Sequence, residues 1–130
     1  MHRTWNPPGI APPASRYSHA VLTTAPRRWL TLSGQLGLRP DGTLPDSLEA
    51  QLDAAFANVA TALADAGMTK TDLIKLTIYL TDPSPQAVTT YRARRDAWIG
   101  EAPAPAATLL IVAGLAAPRF LCEIDAWAAQ

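Results

Sequence analysis

Residues 47–80 read SLEAQLDAAFANVATALADAGMTKTDLIKLTIYL and predict one long helix followed by one strand. Asp46 and Glu49 have the spacing of a capping box at the start of the helix, and Gly67 is typical of its end. Between Ser47 and Gly67 the apolar residues recur at spacings of three and four, which places them on one helical face. They are Leu48, Leu52, Phe56, Val59, Leu63 and Ala66.

The segment Leu73–Leu80 alternates apolar and polar side chains, as a strand with one buried face does. Ile74, Leu76, Ile78 and Leu80 share the apolar face. Prolines mark the boundaries of the other elements. These are predicted strands at Tyr17–Thr23 and Arg28–Ser33, joined by a hairpin turn at Ala25–Arg27, a helix at Gln86–Ile99, and strands at Ala107–Ala113 and Phe120–Ala128.

This order, β-β-α-β-α-β-β, predicts an α+β fold of two layers in which both helices cover one face of a mixed sheet. We expect residues 1–130 to form a single domain, with residues 1–14 as an extended, proline-rich N-terminal arm. Ala107–Ala113 is apolar on both sides, so we expect it to be covered on both sides. Because two helices on one face leave the other face uncovered, the sequence predicts self-association.

The composition argues against several classes of protein. The chain has 11 Lys and Arg against 11 Asp and Glu, so its formal charge is zero, whereas nucleic-acid binding usually requires a basic face. Its one cysteine, Cys122, excludes a disulfide framework, and neither Cys122 nor His2 and His19 have neighbours at the spacing of a metal site. We find neither a signal peptide nor an apolar run long enough for a bilayer, and expect a cytoplasmic protein without membrane partners.

The last predicted strand carries two carboxylates on one face. Glu123 and Asp125 are two residues apart, which separates them by roughly 6 to 7 Å along a strand. Like charges at that distance raise the pKa of at least one carboxyl group, which suits a general acid or base. The alternative is an ordinary solvated strand face. Cys122, beside Glu123, is interpreted as a small buried side chain rather than a nucleophile.

Arg95 is unusual because it lies on the apolar face of the second helix. Val88, Tyr91, Arg95 and Trp98 share that face by their spacing of three and four. One interpretation is a structural salt bridge between the guanidinium and a carboxylate. The other is a site that binds the carboxylate of a substrate.

Several segments, in order along the chain, resemble the RidA family, also called YjgF or endoribonuclease L-PSP. The resemblance extends from Ser15 to Ala128. It implies a chorismate-mutase-like α+β fold and a homotrimer with three clefts between neighbouring subunits. The segments are Tyr17-Ser18-His19-Ala20-Val21, Leu32-Ser33-Gly34-Gln35, Asn58, Pro105-Ala106 and Glu123-Ile124-Asp125-Ala126.

The resemblance also implies a reaction. The best-known members hydrolyse reactive enamines and imines, such as 2-aminoacrylate, to 2-ketoacids and ammonia without a cofactor. In the family pattern a Glu of the last strand positions the attacking water, and a Tyr and a Ser line the cleft. These match Glu123, Tyr17 and Ser33. The Arg that binds the substrate carboxylate is replaced by Ala107, and an asparagine of the cleft falls at Val88.

Three functions therefore remain open. The first is hydrolysis of an imine, an enamine or a related small molecule whose recognition does not require that Arg, in a pocket that Ala107 leaves roomier and more apolar. The second is a non-catalytic trimer that binds a metabolite in the same cleft, which the loss of the Arg favours. Whether Arg95 replaces the missing Arg or forms a structural salt bridge is a separate alternative. The third is the endoribonuclease activity of the older family name, which the zero net charge makes the weakest of the three.

Overall fold

Two helices lie on one face of a four-stranded sheet in the computed structural model, which describes residues 2–130. A short 3-10 helix at Lys70–Asp72 leads into the fourth strand. The helices are α1 (Leu48–Asp65) and α2 (Pro85–Ile99), and the strands are β1 (His2–Trp5), β2 (Ala20–Thr23), β3 (Trp29–Leu36), β4 (Leu73–Leu80), β5 (Ala106–Ile111) and β6 (Cys122–Ala129).

The main sheet has the strand order β3-β6-β4-β5. Strand β4 pairs in parallel with β5, while β6 pairs antiparallel with both β3 and β4. The parallel pair requires a crossover connection, and α2 supplies it. The predicted α+β fold with a mixed sheet is therefore confirmed.

The core forms between α1 and the sheet because the predicted apolar stripe of α1 is buried, with Leu52 and Val59 fully inaccessible. Leu76 of β4 and Ile124 of β6 are equally buried opposite the helices. The predicted capping box at the start of α1 is wrong in detail. Ser47 caps the helix, since its hydroxyl accepts a hydrogen bond from the Ala50 amide at 3.1 Å.

The N-terminal region differs from the prediction. Strand β2 pairs with β1, not with β3, so the hairpin expected at Ala25–Arg27 does not form. The imidazole of His2 holds β1 in place by bonding to the Thr23 hydroxyl at 2.9 Å and to the Ala129 carbonyl at 2.8 Å. Ala25 has a φ of 47°, and the chain leaves β2 there to enter the main sheet beside β6.

Strand β5 is less enclosed than its apolar sequence predicts. It is an edge strand, so Ala107 and Leu109 pack against the core while Leu110 and Ile111 are 42% and 45% exposed. We call the sheet surface turned away from the helices the open face. Trp127 of β6 lies on that face and is 45% exposed.

A bulge in β4 changes one further detail. The pairing between β4 and β6 shifts register between Leu73 and Lys75. Leu73 is therefore the buried residue at this end of the strand, whereas the alternation predicted that Ile74 would be buried. Beyond the bulge, the predicted alternation of β4 holds.

Candidate functional site

One cavity, of about 220 Å³, is lined by three of the site residues predicted from the sequence: Tyr17, Arg95 and Ala107. The first wall is formed by Ala14, Ser15 and Tyr17, in the N-terminal segment that precedes β2. Tyr91 and Arg95 of α2 form the second wall, and Ala107 and Leu109 of β5 form the third. The cavity is on the helix side of the sheet, because Ala107 pairs in register with the buried Leu76 of β4.

Hydrogen bonds fix the N-terminal segment over the cavity. The Ser18 hydroxyl donates to the Ala104 carbonyl at 2.7 Å, and the Ser18 amide donates to the Pro105 carbonyl at 3.1 Å. Arg16 donates to the Gly100 carbonyl at the end of α2. These contacts tie the segment to both ends of the loop between α2 and β5. The ring of Tyr17 packs edge-on against His19 with ring centroids 5.4 Å apart.

Arg95 is only 3% exposed, and its guanidinium is incompletely paired. Its Nε donates to Oδ1 of Asp96 at 2.9 Å, and Nη1 donates to the Ser15 hydroxyl at 3.3 Å. Nη2 also lies 2.9 Å from the same Asp96 oxygen, but that contact is not directed along an N–H bond. Within residues 2–130, Nη2 is the one buried side-chain nitrogen or oxygen without a hydrogen-bond partner.

Two tyrosines, Tyr17 and Tyr91, line the cavity together with Arg95. Burial raises the pKa of Tyr91, and the positive charge of Arg95 opposes that rise only in part. The Cζ atom of Arg95 lies 5.2 Å from the centre of the Tyr91 ring, within range of a cation–π contact. The phenol of Tyr17 accepts a long hydrogen bond from the Ala14 amide at 3.4 Å. The cavity therefore offers hydroxyl groups beside a buried positive charge.

A second group of predicted residues lies on the open face. Glu123 of β6 packs directly against Gly34 of β3, and a Cβ added at residue 34 would overlap the Glu123 carboxylate. Ser33 precedes this contact and is exposed. Among the side-chain hydrogen bonds of residues 2–130, none involves the Glu123 carboxylate. That carboxylate is half-buried and free to accept a hydrogen bond from a water or a ligand.

Asp125, by contrast, is already engaged. Its Oδ2 accepts a hydrogen bond from the Tyr79 hydroxyl at 3.0 Å across the β4–β6 pair. This bond and the negative charges of Asp125 and Glu123 raise the pKa of Tyr79. Of the two carboxylates on this strand face, Glu123 is therefore the one available for chemistry.

One chain does not bring the two groups together. Glu123 lies between the buried Cys122 and Ile124, so it projects from the face opposite to that of Ala107. Strand β4 lies between β6, which carries Glu123, and β5, which carries Ala107. In β4, Tyr79 is level with Glu123 and Leu76 is level with Ala107. Glu123 and Ala107 are therefore about 10 Å apart across the sheet and about 10 Å apart along the strand direction.

The family assignment comes from comparison with known sequences. The sequence model of the family described as Endoribonuclease L-PSP matches residues 9–130. The protein belongs to the RidA/YjgF family. A relative from Escherichia coli, the RutC family protein YjgH, is 41% identical over 71 residues, and one from Aquifex aeolicus, a RutC family protein, is 37% identical over 71 residues. The matches cover 55% and 54% of this chain and 52% and 54% of those relatives, about half the length of each.

Solved structures of Rid proteins have the same fold. The Rid family protein YyfB from Yersinia pestis is similar to this chain with a TM-score of 0.91 and 31% identity, covering 99% of this chain and 98% of the other. RidA from the Antarctic bacterium Psychrobacter sp. PAMC 21119 has a TM-score of 0.72 and 27% identity over 91% of each chain. The predicted chorismate-mutase-like fold is thereby confirmed for this Rid protein.

The structure gives less support to a cysteine nucleophile or a metal site. Burial raises the pKa of the Cys122 thiol to about 12, so this side chain is inert at neutral pH, as the sequence indicated. Within residues 2–130 no cluster of three His, Cys, Asp or Glu side chains could hold a metal ion. Nor does this part of the chain contain a helix of the length and apolarity needed to cross a membrane.

Sequence reasoning missed several residues of the two groups. Ser15 and Arg92 also line the cavity, and nothing in their local pattern distinguishes them from surface residues. Gly34 could have been found, because a glycine between Ser33 and Gln35 within a strand is typical of a close approach by a neighbouring group.

Proposed function

We propose that this Rid protein hydrolyses a small imine or enamine to the corresponding carbonyl compound and ammonia, in clefts between the subunits of a homotrimer. The observation that carries the proposal is the unpaired Glu123 carboxylate held against Gly34 on the open face. A free, half-buried carboxylate beside a glycine, where no Cβ intrudes, is suited to holding one water molecule.

The reaction needs only water and a group that orients it. Glu123 accepts a hydrogen bond from the water and draws off one of its protons as the water oxygen bonds to the imine carbon. The imine nitrogen takes up that proton from Glu123, which gives a tetrahedral amino alcohol. The hydroxyl of this intermediate then gives its proton, by way of Glu123, to the amino nitrogen, the C–N bond breaks, ammonia leaves and the carbonyl forms. No redox or group-transfer cofactor enters this balance.

A second copy of the chain would complete the cleft. Tyr17, Arg95 and Ala107 lie on one side of the sheet and Ser33 and Glu123 on the other, so a substrate cannot contact both groups of one chain. A neighbouring copy placed at the β5 edge would bring its own Ser33 and Glu123 to this cavity. The homotrimer implied by the family is the arrangement that we propose.

A non-catalytic metabolite-binding trimer is the second candidate function. Ala107 favours it, because a methyl group cannot form the charged, directed contact with a carboxylate that an Arg would form in this position. Endoribonuclease activity has less support, since the formal charge of the chain is zero.

Loss of 2-iminobutanoate, generated in situ by an amino-acid oxidase, tests the hydrolase. We expect the wild-type protein to accelerate its decay and Glu123→Gln to reduce that acceleration at least 100-fold, within the range usual for a group that handles a proton. Asp125→Asn is the matched control, since it neutralises a carboxylate on the same strand face that already bonds to Tyr79. We expect it to retain most of the activity.

Two outcomes would contradict the hydrolase. One is a wild-type protein that binds but does not consume the imine, which would support the metabolite-binding trimer. The other is a Glu123→Gln variant that hydrolyses the imine as fast as wild type, which would show that a group other than Glu123 holds the attacking water. Mass spectrometry of the ligand recovered after incubation distinguishes binding from consumption.

A further inference from the structure

The buried guanidinium of Arg95 contacts polar groups on its own helix and one group outside it. Asp96 is the next residue of α2, and its Oδ1 accepts a hydrogen bond from Nε at 2.9 Å. Tyr91 lies one turn earlier, with its ring centre 5.2 Å from Cζ of Arg95. The contact outside the helix is with Ser15, whose hydroxyl accepts from Nη1 at 3.3 Å. Within residues 2–130, Ser15 is the one hydrogen-bond partner of this guanidinium that does not belong to α2.

Neither solvent nor the fold as a whole accounts for a charge at this position. Arg95 is 3% exposed, and its Nη2 is inaccessible and lies 2.9 Å from Oδ1 of Asp96. Because Asp96 is adjacent in the same helix, this ion pair cannot hold a second element against α2. Burying a charged pair costs desolvation free energy that an apolar side chain of similar volume would not. What the guanidinium adds is therefore a directed contact with Ser15.

Ser15 is in turn coupled to Tyr17 through the backbone. The Tyr17 amide donates to the Ser15 carbonyl at 3.0 Å, and the Tyr17 phenol accepts from the Ala14 amide at 3.4 Å. These two bonds fold residues 14–17 into a tight turn, which sets the direction of the Tyr17 ring. Ser15 and Tyr17 lie in the same wall of the cavity, so a shift of one moves the other.

The other side chains that anchor this segment do not reach the helix. Arg16 and Ser18 bond to carbonyl groups of the loop that follows α2. Within residues 2–130, the bond between Arg95 and Ser15 is the one hydrogen bond that fixes residues 14–18 to α2 itself. This bond therefore sets how far the wall that carries Tyr17 stands from the helix.

We propose that Arg95 is a positioning residue, which holds Tyr17 in the wall of the cavity by fixing Ser15. The planar guanidinium suits this role, since Nε is tied to Asp96 and Nη1 then points in a fixed direction. Displacing a group of an active site by about 1 Å can lower a rate by roughly 100-fold. For its effect on a reaction, the role of Arg95 rests on the proposed function. For its effect on the N-terminal segment, it does not.

Limited proteolysis tests the position of the segment without any turnover. Trypsin cleaves between Arg16 and Tyr17 once the segment detaches from the rest of the protein. We expect this cleavage to be at least tenfold faster in Ser15→Ala and in Arg95→Met than in wild type. Cleavage after Lys75, in the central strand β4, reports global unfolding in the same digest, and we expect its rate to stay unchanged.

Two variants make this test decisive. Ser15→Ala removes only a hydroxyl, so it tests the contact even if Arg95→Met does not fold. Arg94→Met is the matched control, because it removes the same charge from the adjacent position, which bonds to α1 and lies outside the cavity. We expect this control to be cleaved after Arg16 at the wild-type rate. The role of Arg95 is overturned if either folded variant is cleaved there at the wild-type rate, or if cleavage after Lys75 rises equally.

A double-mutant cycle tests whether Arg95 acts through Tyr17. With 2-iminobutanoate as substrate, we expect Arg95→Met and Tyr17→Ala each to lower kcat/KM at least tenfold. The double variant is expected to be no slower than Tyr17→Ala alone, since the residue that Arg95 positions is then absent. A further tenfold loss in the double variant would show that Arg95 acts independently of Tyr17 and would overturn the proposal.

The proposed function and the role of Arg95 fail differently. Faster cleavage after Arg16 in Ser15→Ala and Arg95→Met, without hydrolysis of the imine by wild type, would reject the hydrolase and support the role of Arg95. Hydrolysis by wild type, with wild-type rates of cleavage in both variants, would support the hydrolase and reject the role of Arg95.

Discussion

Gly34 and Glu123 face each other across neighbouring strands so closely that a Cβ at residue 34 would overlap the Glu123 carboxylate. The absence of a side chain at residue 34 therefore determines where that carboxylate lies. In the proposed reaction, this carboxylate holds the attacking water. The contact links a backbone feature of β3 to the chemistry of β6.

Gly34→Ala is expected to impair activity more than stability. The added methyl group displaces the Glu123 side chain, which is flexible and can turn aside, and the φ of Gly34 is not in the left-handed region. We expect hydrolysis to fall at least tenfold, while the free energy of unfolding changes by less than about 1 kcal/mol. Urea denaturation and the imine assay measure the two effects separately.

Gly37→Ala is the control for that result. Its Cβ would lie 2.6 Å from the Cα of Gln51, so it meets the backbone of α1 rather than a movable side chain. Overpacking of this kind costs about 1 to 3 kcal/mol of stability. Equal destabilisation by both substitutions would show that residue 34 is a packing position and not part of a site.

Gln51→Met is expected to destabilise the fold. The buried Gln51 amide donates to the Pro45 carbonyl at 2.9 Å and to the Arg119 carbonyl at 3.0 Å, and its oxygen accepts from the Leu121 amide at 2.9 Å. Methionine fills the volume but leaves these backbone groups unpaired, at about 1 to 3 kcal/mol for each group that stays buried.

Urea denaturation checks this prediction, with Gln86→Met, at an exposed position of α2, as the control for a change of residue type. A loss of less than about 1 kcal/mol in Gln51→Met would indicate that water replaces the amide.

The Cys122 thiol is expected to resist alkylation in the folded protein. Burial, together with the nearby charge of Glu123, raises its pKa to about 12. At pH 8, below that pKa, the thiol is almost entirely protonated, and the thiolate fraction rises only as the pH approaches 12. In urea the pKa returns to its ordinary value, so we expect rapid modification by iodoacetamide there and almost none in buffer. Rapid modification in buffer at pH 8 would show that the strand opens.

The local patterns of the sequence predicted the central elements well. The apolar stripe of α1 and the alternation of β4 are set by nearest neighbours along the chain, and the structure places them within one or two residues of the expected bounds. The pairing of β1 with β2 depends on contacts between residues far apart, such as the bond from His2 to Ala129. A pattern of four residues could not indicate that pairing.

The site was only partly predictable for the same reason. Helical spacing placed Arg95 on the apolar face of α2, and the structure confirms that it is buried. Which nitrogens of its guanidinium are hydrogen-bonded could not be predicted, because Ser15 and Asp96 reach Nη1 and Nε only in the folded chain and leave Nη2 without a hydrogen bond. The separation of Glu123 from Ala107 likewise follows from strand order, which the sequence alone left open.

Leu110→Asp is expected to prevent the proposed trimer from forming. Leu110 is 42% exposed on the open face of the edge strand β5, level with Tyr79 of β4, where an association partner would cover it. A carboxylate buried there without a counter-charge would oppose association, whereas in a single chain the aspartate remains in water. We expect a folded monomer by light scattering with size-exclusion chromatography, and loss of hydrolysis because the cleft needs two copies. Ala64→Asp, at an exposed position of α1, is expected to leave both unchanged. A Leu110→Asp protein that remains trimeric, or one that stays active as a monomer, would contradict an inter-subunit site at this edge.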